Sequence, residues 1–384
     1  MRAALCAVTL LTATLPAGIT ETREEIVPGL THVHRFDPDA PLNVNVLVVD
    51  LTEPAISVRT ELGQGTVNGV ETVRSMAQRT GAVAAVNGDY WTFGGVPLGL
   101  TVVDGEIVTA PKFRTALGIT RERRAVIGMW ADDWNWDATV IAAGGASREI
   151  MMINSDCNPG WLTLYSHHWG RPSRGASVSP ETEAVIDADG TVTEVRTDLP
   201  GVEIPEGGFV LTGRGDSGAW LAAHVREGDR PVLDLRTDPD WRELWCAVGG
   251  GPRILRNGAY HEDPMAEFPA GEEFTLDWKD THYNHRQPRT AAGTNDDGTR
   301  LVLVVVDGRQ DQFSRGVLRE EMAALLAEFG ATQGTDLDSG GSSTMVIRGE
   351  VVNHVSDQAN ADGTGGVERP VCNGLMIHST ASVP

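Results

Sequence analysis

LVLVVVDGRQDQFSRGVLREEMAALLAEFGATQGTDLDSGG, residues 301–341, is the stretch on which the reading of the whole chain turns. It opens with LVLVVVDG (301–308), an apolar and β-branched run of strand length. SRGVLREEMAALLAEFG follows with helical spacing: Leu318, Met322, Leu325, Leu326 and Phe329 share one stripe, Ser314 can cap the start, and Gly330 can end it. ATQGTDLDSGG (331–341) returns to a strand-like pattern. Strand, helix and strand in this order predict a crossover connection, with Asp307 and Asp338 projecting from neighbouring strand ends.

Working outward, the same alternation recurs. NVNVLVVD (43–50) and ISVRT (56–60) read as strands, VETVRSMAQRT as a helix stopped by Gly81, and AVAAVN (82–87) as a strand that delivers NGDYW to its carboxyl end. PLGLTVVDGEIV (97–108) and AVIDADGTVTEV (184–195) predict hairpins, with Asp104-Gly105 and DADG at their tips. A helix is expected around Ser217 to Glu227. The fold class is therefore α+β, a mixed sheet with flanking helices and a β-rich insertion at about 156–236. The aromatic and acidic run DDWNWD (132–137) reads as a loop.

Bulk properties narrow the function. The 384 residues carry a formal charge of -22, and the 31 basic residues include only two lysines, Lys112 and Lys279. Such a field repels nucleic acid and anionic lipid, so neither is an expected partner. Arg2 and the apolar run from Ala3 to Leu15 predict a signal peptide over residues 1–18, hence a secreted or extracytoplasmic protein without stable membrane insertion. Beyond that leader stand Cys157, Cys246 and Cys372, in no CxxC or Cys/His ligand pattern. No metal and no cofactor is expected.

The richest candidate site lies in TDLDSGGSSTMVIRGEVV (335–352). A carboxylate, two glycines and three serines can turn the backbone sharply and aim several donors at an anion. No Lys follows the glycines and no G-x-S-x-G is present, which disfavours nucleotide triphosphate and serine hydrolase chemistry.

NGDYW (87–91), GGGPRILRNG (249–258), RTAAGTNDDG (289–298), VVVDGRQ (304–310), LDSGGSSTMVIRGEVVN (337–353), SD (356–357) and ERPV (368–371) occur in an order that resembles the phosphodiester glycosidase family. The resemblance runs from Val83 to His378 and implies one such domain over residues 30–384. Asp89 stands where animal members have Gly, and Ser339 where the family often has Gly; bacterial relatives tolerate an acid in that first loop.

The activity that this resemblance implies is hydrolysis of a sugar-1-phosphodiester, on an N-acetylglucosamine-like sugar or a phosphorylated glycan. Oxocarbenium character develops on the sugar while a stable phosphate anion departs, so arginines can replace a strong acid at the leaving group. Arg289, Arg309 and Arg369 are the candidate clamp. Asp338 is the first candidate to activate water or attack the anomeric carbon, followed by Asp307 and Asp89. Asn87, Thr290, Gly340, Gly341, Ser342 and Ser343 are candidate substrate contacts. His282 and His285 fit a surface loop. A non-catalytic binder of anionic glycan and a metal-dependent phosphodiesterase remain the alternatives.

Overall fold

The run 301–306 is apolar at every position because its strand is covered on both faces. A computed structural model describes residues 18–381 apart from 93, 113, 131–135, 171, 175–180 and 262–284. Arg300–Val306 lies in an eight-stranded antiparallel sheet. The order is Thr20–Val27, Leu30–Asp37, Leu42–Asp50, Arg300–Val306, Arg289–Thr294, Gln333–Asp336, Arg253–Arg256 and Ala259–Tyr260. Val302, Val304 and Val306 face the helix Arg319–Glu328 through Met322, Ala323 and Leu326. Leu301, Leu303 and Val305 point the other way, into a core shared with Val86, Leu117, Val248, Met345 and Leu375.

That second face is roofed by two five-stranded sheets. One is ordered Glu350–Val351, Met345–Ile347, Ala84–Asn87, Asn373–Ser379, Ile56–Leu62; the other Glu106–Thr109, Thr101–Val103, Leu244–Gly249, Ala116–Thr120, Ala125–Gly128. A five-stranded and a three-stranded sheet, built wholly from strands between Asp137 and Arg236, pack around Val140, Leu164, Ile186 and Leu211 in a core shared with Val102, Ala116, Leu244 and Ala247 of the second roof sheet. The region expected as an insertion falls within these two sheets. Strands dominate, with three α-helices among the described residues, so the mixed class is richer in β structure than the sequence reading implied.

Local signals behave as their chemistry requires. Val73–Thr80 is helical, with Thr72 Oγ accepting from the Ser75 N–H at 3.2 Å and Gly81 left-handed at φ 70°. Asp104 (φ 48°) and Gly105 (φ 81°) turn the hairpin between Thr101–Val103 and Glu106–Thr109. Glu181–Ile186 pairs with Val192–Thr197 as the second expected hairpin, and the helix Asp216–His224 occupies the third expected helical stretch.

Two expectations change. Ser314 does not cap the long helix, which begins at Arg319 with the Leu318 N–H donating to Glu321 Oε2 at 2.9 Å. Ser314 Oγ instead accepts from the Asn43 N–H at 3.0 Å and donates to the Asp307 carbonyl at 2.7 Å. The two crossover strands are also not neighbours, because Arg289–Thr294 lies between them and pairs antiparallel with both. A lone βαβ motif leaves room for such an intervening strand, and the strand immediately preceding Arg300–Val306 fills it by a hairpin. The leader expected at 1–18 lies, except for Gly18, outside the described residues, as do His282 and all of DDWNWD except Trp136 and Asp137. Cys157, Cys246 and Cys372 are buried free thiols.

Candidate functional site

The three-strand arrangement gathers distant loops at one end of the sheets. Asn87 ends its strand with its side chain fully buried. Its Oδ1 accepts from Thr290 Oγ at 2.8 Å and the Thr344 N–H at 3.1 Å, and its Nδ2 donates to the Asp338 carbonyl at 2.6 Å. One amide thus ties together loops carrying three of the sequence candidates, and both of its ends are engaged.

Asp338 follows in the turn beyond Gln333–Asp336. It is half-buried, its own N–H donates to the Gly88 carbonyl at 2.9 Å, and its Oδ1 accepts from the Ser339 N–H at 2.8 Å. Desolvation pushes its carboxyl up to about 6 against the opposing pull of Ser342, the Ser339 N–H and the positive charge of Arg369, and the negative charge of Asp89 adds to the rise.

Asp89 is fully buried. Its Oδ2 accepts from the Gly99 N–H at 2.6 Å, while Oδ1 has no hydrogen-bond partner among the described residues. Burial raises its carboxyl to about 6, with Arg114 and Lys112 among the groups that oppose the rise. Gly249 is required beside it, since a Cβ there would collide with Asp89 Oδ2 and with the Gly99 backbone. Gly249, the first of the three consecutive glycines, therefore walls the Asp89 carboxylate, while Gly250 packs on the Asp336 carbonyl.

Beyond Asp338 the chain makes a single 3-10 turn, Gly340–Ser342, with Gly340 at φ 69°. Two guanidinium groups bracket it. Arg309, itself left-handed at φ 62°, donates through Nε to Gln287 Oε1 at 2.8 Å, and its Nη2 lies 3.0 Å from where a Cβ on Gly340 would stand. Arg369 makes paired hydrogen bonds to Asp357 at 2.7 and 2.9 Å, and a Cβ on Gly341 would collide with both of these side chains. Behind the turn, the hydroxyls of Ser342, Ser343 and Thr344 are buried without a hydrogen-bond partner among the described residues. Buried hydroxyls are ordinarily satisfied, so three in succession form an unusually polar layer beneath the turn.

Two sequence candidates take different positions. Arg289 is fully buried, donating through Nε to the Val317 carbonyl at 2.9 Å and through Nη1 to Asp336 at 3.2 Å, where Arg319 also pairs at 2.6 Å. This triad lies inside the fold and does not join the arginines that bracket Gly340 and Gly341. Asp307 receives Asn43 Nδ2 at 2.7 Å, Asn353 Nδ2 at 2.9 Å and the His354 N–H at 2.9 Å. Burial raises its carboxyl and these three donors pull the other way. Asn353 also donates to the Ser343 carbonyl at 3.1 Å, so Asp307 is linked to the site through the loop it holds. His285 is exposed.

Several site residues carry no signal in the sequence. Asn373 Oδ1 accepts from the Asp89 N–H at 2.7 Å, and Arg114 lies over the Tyr90 ring at 4.9 Å while donating to the Gly250 carbonyl. Lys112 is one of two lysines, a clue that rarity alone could have raised. Burial lowers its pKa and Asp89 opposes this. It lines a cavity of about 390 Å³ with Asn68, Thr92, Asn158, Trp161 and Arg174. A larger cavity of about 590 Å³, near Asn353 and His354, is lined by neither Asp89 nor Asp338.

The model of the phosphodiester glycosidase family matches residues 180–378. YomE, a prophage-derived protein of Bacillus subtilis, is 37% identical over 100 residues, which is 26% of this chain and 14% of that protein. The N-acetylglucosamine-1-phosphodiester alpha-N-acetylglucosaminidase of Bos taurus is 29% identical over 131 residues, 34% of this chain and 24% of the relative. These matches thus span a quarter or less of the curated relatives' own length. Among solved structures, a Burkholderia pseudomallei protein described as a "Putative exported protein" superposes with a TM-score of 0.71 at 28% identity, covering 88% of this chain and 74% of that one. A hypothetical protein from Synechocystis gives a TM-score of 0.74 at 18% identity, covering 95% and 64%.

Proposed function

Because the chain belongs to the phosphodiester glycosidase family, we propose that it hydrolyses a sugar-1-phosphodiester by carbon–oxygen cleavage at the anomeric carbon. Asp338 is the carboxylate that acts on the reacting atoms, since it is the one of the three candidate aspartates that is not fully buried. With a carboxyl near 6 it is a stronger base than an ordinary aspartate and still ionised at neutral pH, which suits it to draw a proton from water. Asp89 acts through it, as a buried charge that raises the Asp338 pKa. Arg309 and Arg369 neutralise the phosphodiester at the glycine turn, and the hydroxyls of Ser342, Ser343 and Thr344 receive sugar or phosphate oxygens. Asn87 with Thr290, and Asp307 with Asn43 and Asn353, position these loops. The cavity lined by Lys112, Trp161 and Arg174 offers an aromatic face and, through Lys112, positive charge to the rest of an anionic glycan, Arg174 being paired there with Asp156.

The observation that carries this reading is the convergence of Asp338, Asp89 and the arginine-bracketed turn from separate parts of the chain. An exported location accords with the N-terminal leader pattern, and no helix among the described residues is long and apolar enough to cross a membrane.

Purified protein incubated with an N-acetylglucosamine phosphodiester and a panel of other sugar phosphodiesters tests the activity. Oxygen-18 water then locates the bond: label in the released sugar is expected. Label in phosphate instead, or no sugar released from any panel member, overturns the proposal.

A further inference from the structure

Away from these carboxylates, the turn His167–Trp169 carries two adjacent histidines whose rings lie tilted at 36° with centroids 4.0 Å apart. Successive residues of a 3-10 turn point roughly 120° apart, so nothing in the backbone brings two such rings together. Both reach toward the same oxygen of a third residue from a different sheet: Glu106 Oε2 lies 3.2 Å from His168 Nε2 and 3.9 Å from His167 Nε2. The three ligand atoms all fall within 4.8 Å of one another.

We infer that Glu106, His167 and His168 form a binding site for a divalent transition metal, with zinc the ion that the ligand set fits best. Two imidazoles and one carboxylate are a three-ligand set for tetrahedral zinc, with water completing the shell. Bonds of roughly 2.1 Å place two tetrahedral ligands about 3.4 Å apart, so the observed spacings close with small side-chain adjustments. The ligands are also held from behind. The His168 carbonyl accepts from the Val67 N–H at 2.8 Å, and Gly170, left-handed at φ 74°, closes the turn onto the His167 carbonyl at 3.1 Å.

Glu106 belongs to the hairpin Thr101–Val103 and Glu106–Thr109, whereas the histidines follow Leu162–Ser166 of the sheets between residues 137 and 236. An ion here is a clasp between the two parts. The next residue, Trp169, lines the 390 Å³ cavity that also holds Lys112, so metal occupancy fixes one wall of it. This inference does not rest on the hydrolase reading.

The test uses untagged, chelator-treated full-length chain titrated with zinc chloride by calorimetry and with cobalt(II) by visible absorption. One equivalent per chain is expected, with tetrahedral cobalt bands and a zinc-dependent rise in Tm. His167→Ala, His168→Ala and Glu106→Ala should each weaken binding at least tenfold while leaving the metal-free Tm near that of the parent, and His224→Ala should bind as the parent does. Absence of saturable binding by the parent chain, or a site that survives all three substitutions, overturns the inference.

Discussion

Replacing Asp89 by Asn separates what the buried carboxyl costs the fold from what it does for the site. Asp89 has no solvent exposure and its pKa rises from 3.8 to about 6. At 1.36 kcal/mol per pH unit, ionising it inside the protein costs about 3 kcal/mol relative to the unfolded chain. The sign follows from the direction of the shift. A carboxyl with a raised folded pKa makes its full contribution to stability below about pH 4, and that contribution is lost as pH rises through about 6. Asn does not titrate, and its amide oxygen can still accept the Gly99 N–H. Urea unfolding of both proteins from pH 4 to 8 cancels the groups they share. The variant should gain on the parent by up to about 3 kcal/mol across that range, most of it between pH 4 and 6. Removing the Asp89 charge also relieves Asp338, so the acid limb of kcat/KM should move to lower pH. Parallel stability curves together with an unmoved acid limb would refute both the burial argument and the coupling.

Other substitutions probe the remaining parts. Asp338→Asn should lower kcat by roughly a hundred- to ten-thousand-fold, measured as released sugar, with native circular dichroism. Arg369→Ala should raise KM for an anionic substrate by roughly ten- to a hundredfold, as loss of a hydrogen bond to a charged group does, and salt should affect the variant less than the parent. Asp307→Ala should lower unfolding free energy by several kcal/mol, since three buried donors lose their acceptor at about 1–3 kcal/mol each; Asp307→Asn should be milder and keep kcat within a fewfold. Gly249→Ala should cost about 1–3 kcal/mol in denaturant unfolding, because the added methyl collides with Asp89 and Gly99.

The crossover was legible because its signals are local. An apolar run covered on both faces, a helical stripe and a glycine stop are written consecutively between residues 301 and 330. Its boundaries shifted where a tertiary partner outbid a local one: Ser314 has the chemistry of a cap, yet the Asp307 carbonyl and Asn43 N–H claim its hydroxyl. The strand Arg289–Thr294 could not be placed between the crossover strands from local patterns: its hairpin with Arg300–Val306 is local, but its pairing with Gln333–Asp336 beyond the helix leaves no periodicity in either strand.

The site divides along the same line. Motifs indicate which loops matter, and Asn87, Asp89, Asp338, Gly340 and Gly341 do meet. Motifs do not say which face of a loop each side chain takes. Arg289 and Arg369 look interchangeable as letters. Arg289 starts a central strand and turns inward to Asp336 and the Val317 carbonyl, whereas Arg369 lies on a late loop and reaches Asp357 beside the glycine turn. Asp307 and Asp338 are likewise both strand-end aspartates. The first meets three donors and is consumed by them; the second is half-buried and feels the charge of Asp89. The sequence contains both outcomes only through the donors that fold against each carboxylate, namely Asn43, Asn353 and the His354 amide in one case and the Ser339 amide in the other. Transplanting that logic gives a final expectation: Asn353→Leu, which strips Asp307 of one donor and frees the Ser343 carbonyl, should shift the loop after residue 342 and lower kcat without touching any reacting group. An unchanged kcat in a folded Asn353→Leu protein would show that the Asp307 knot holds the chain together but does not position the site.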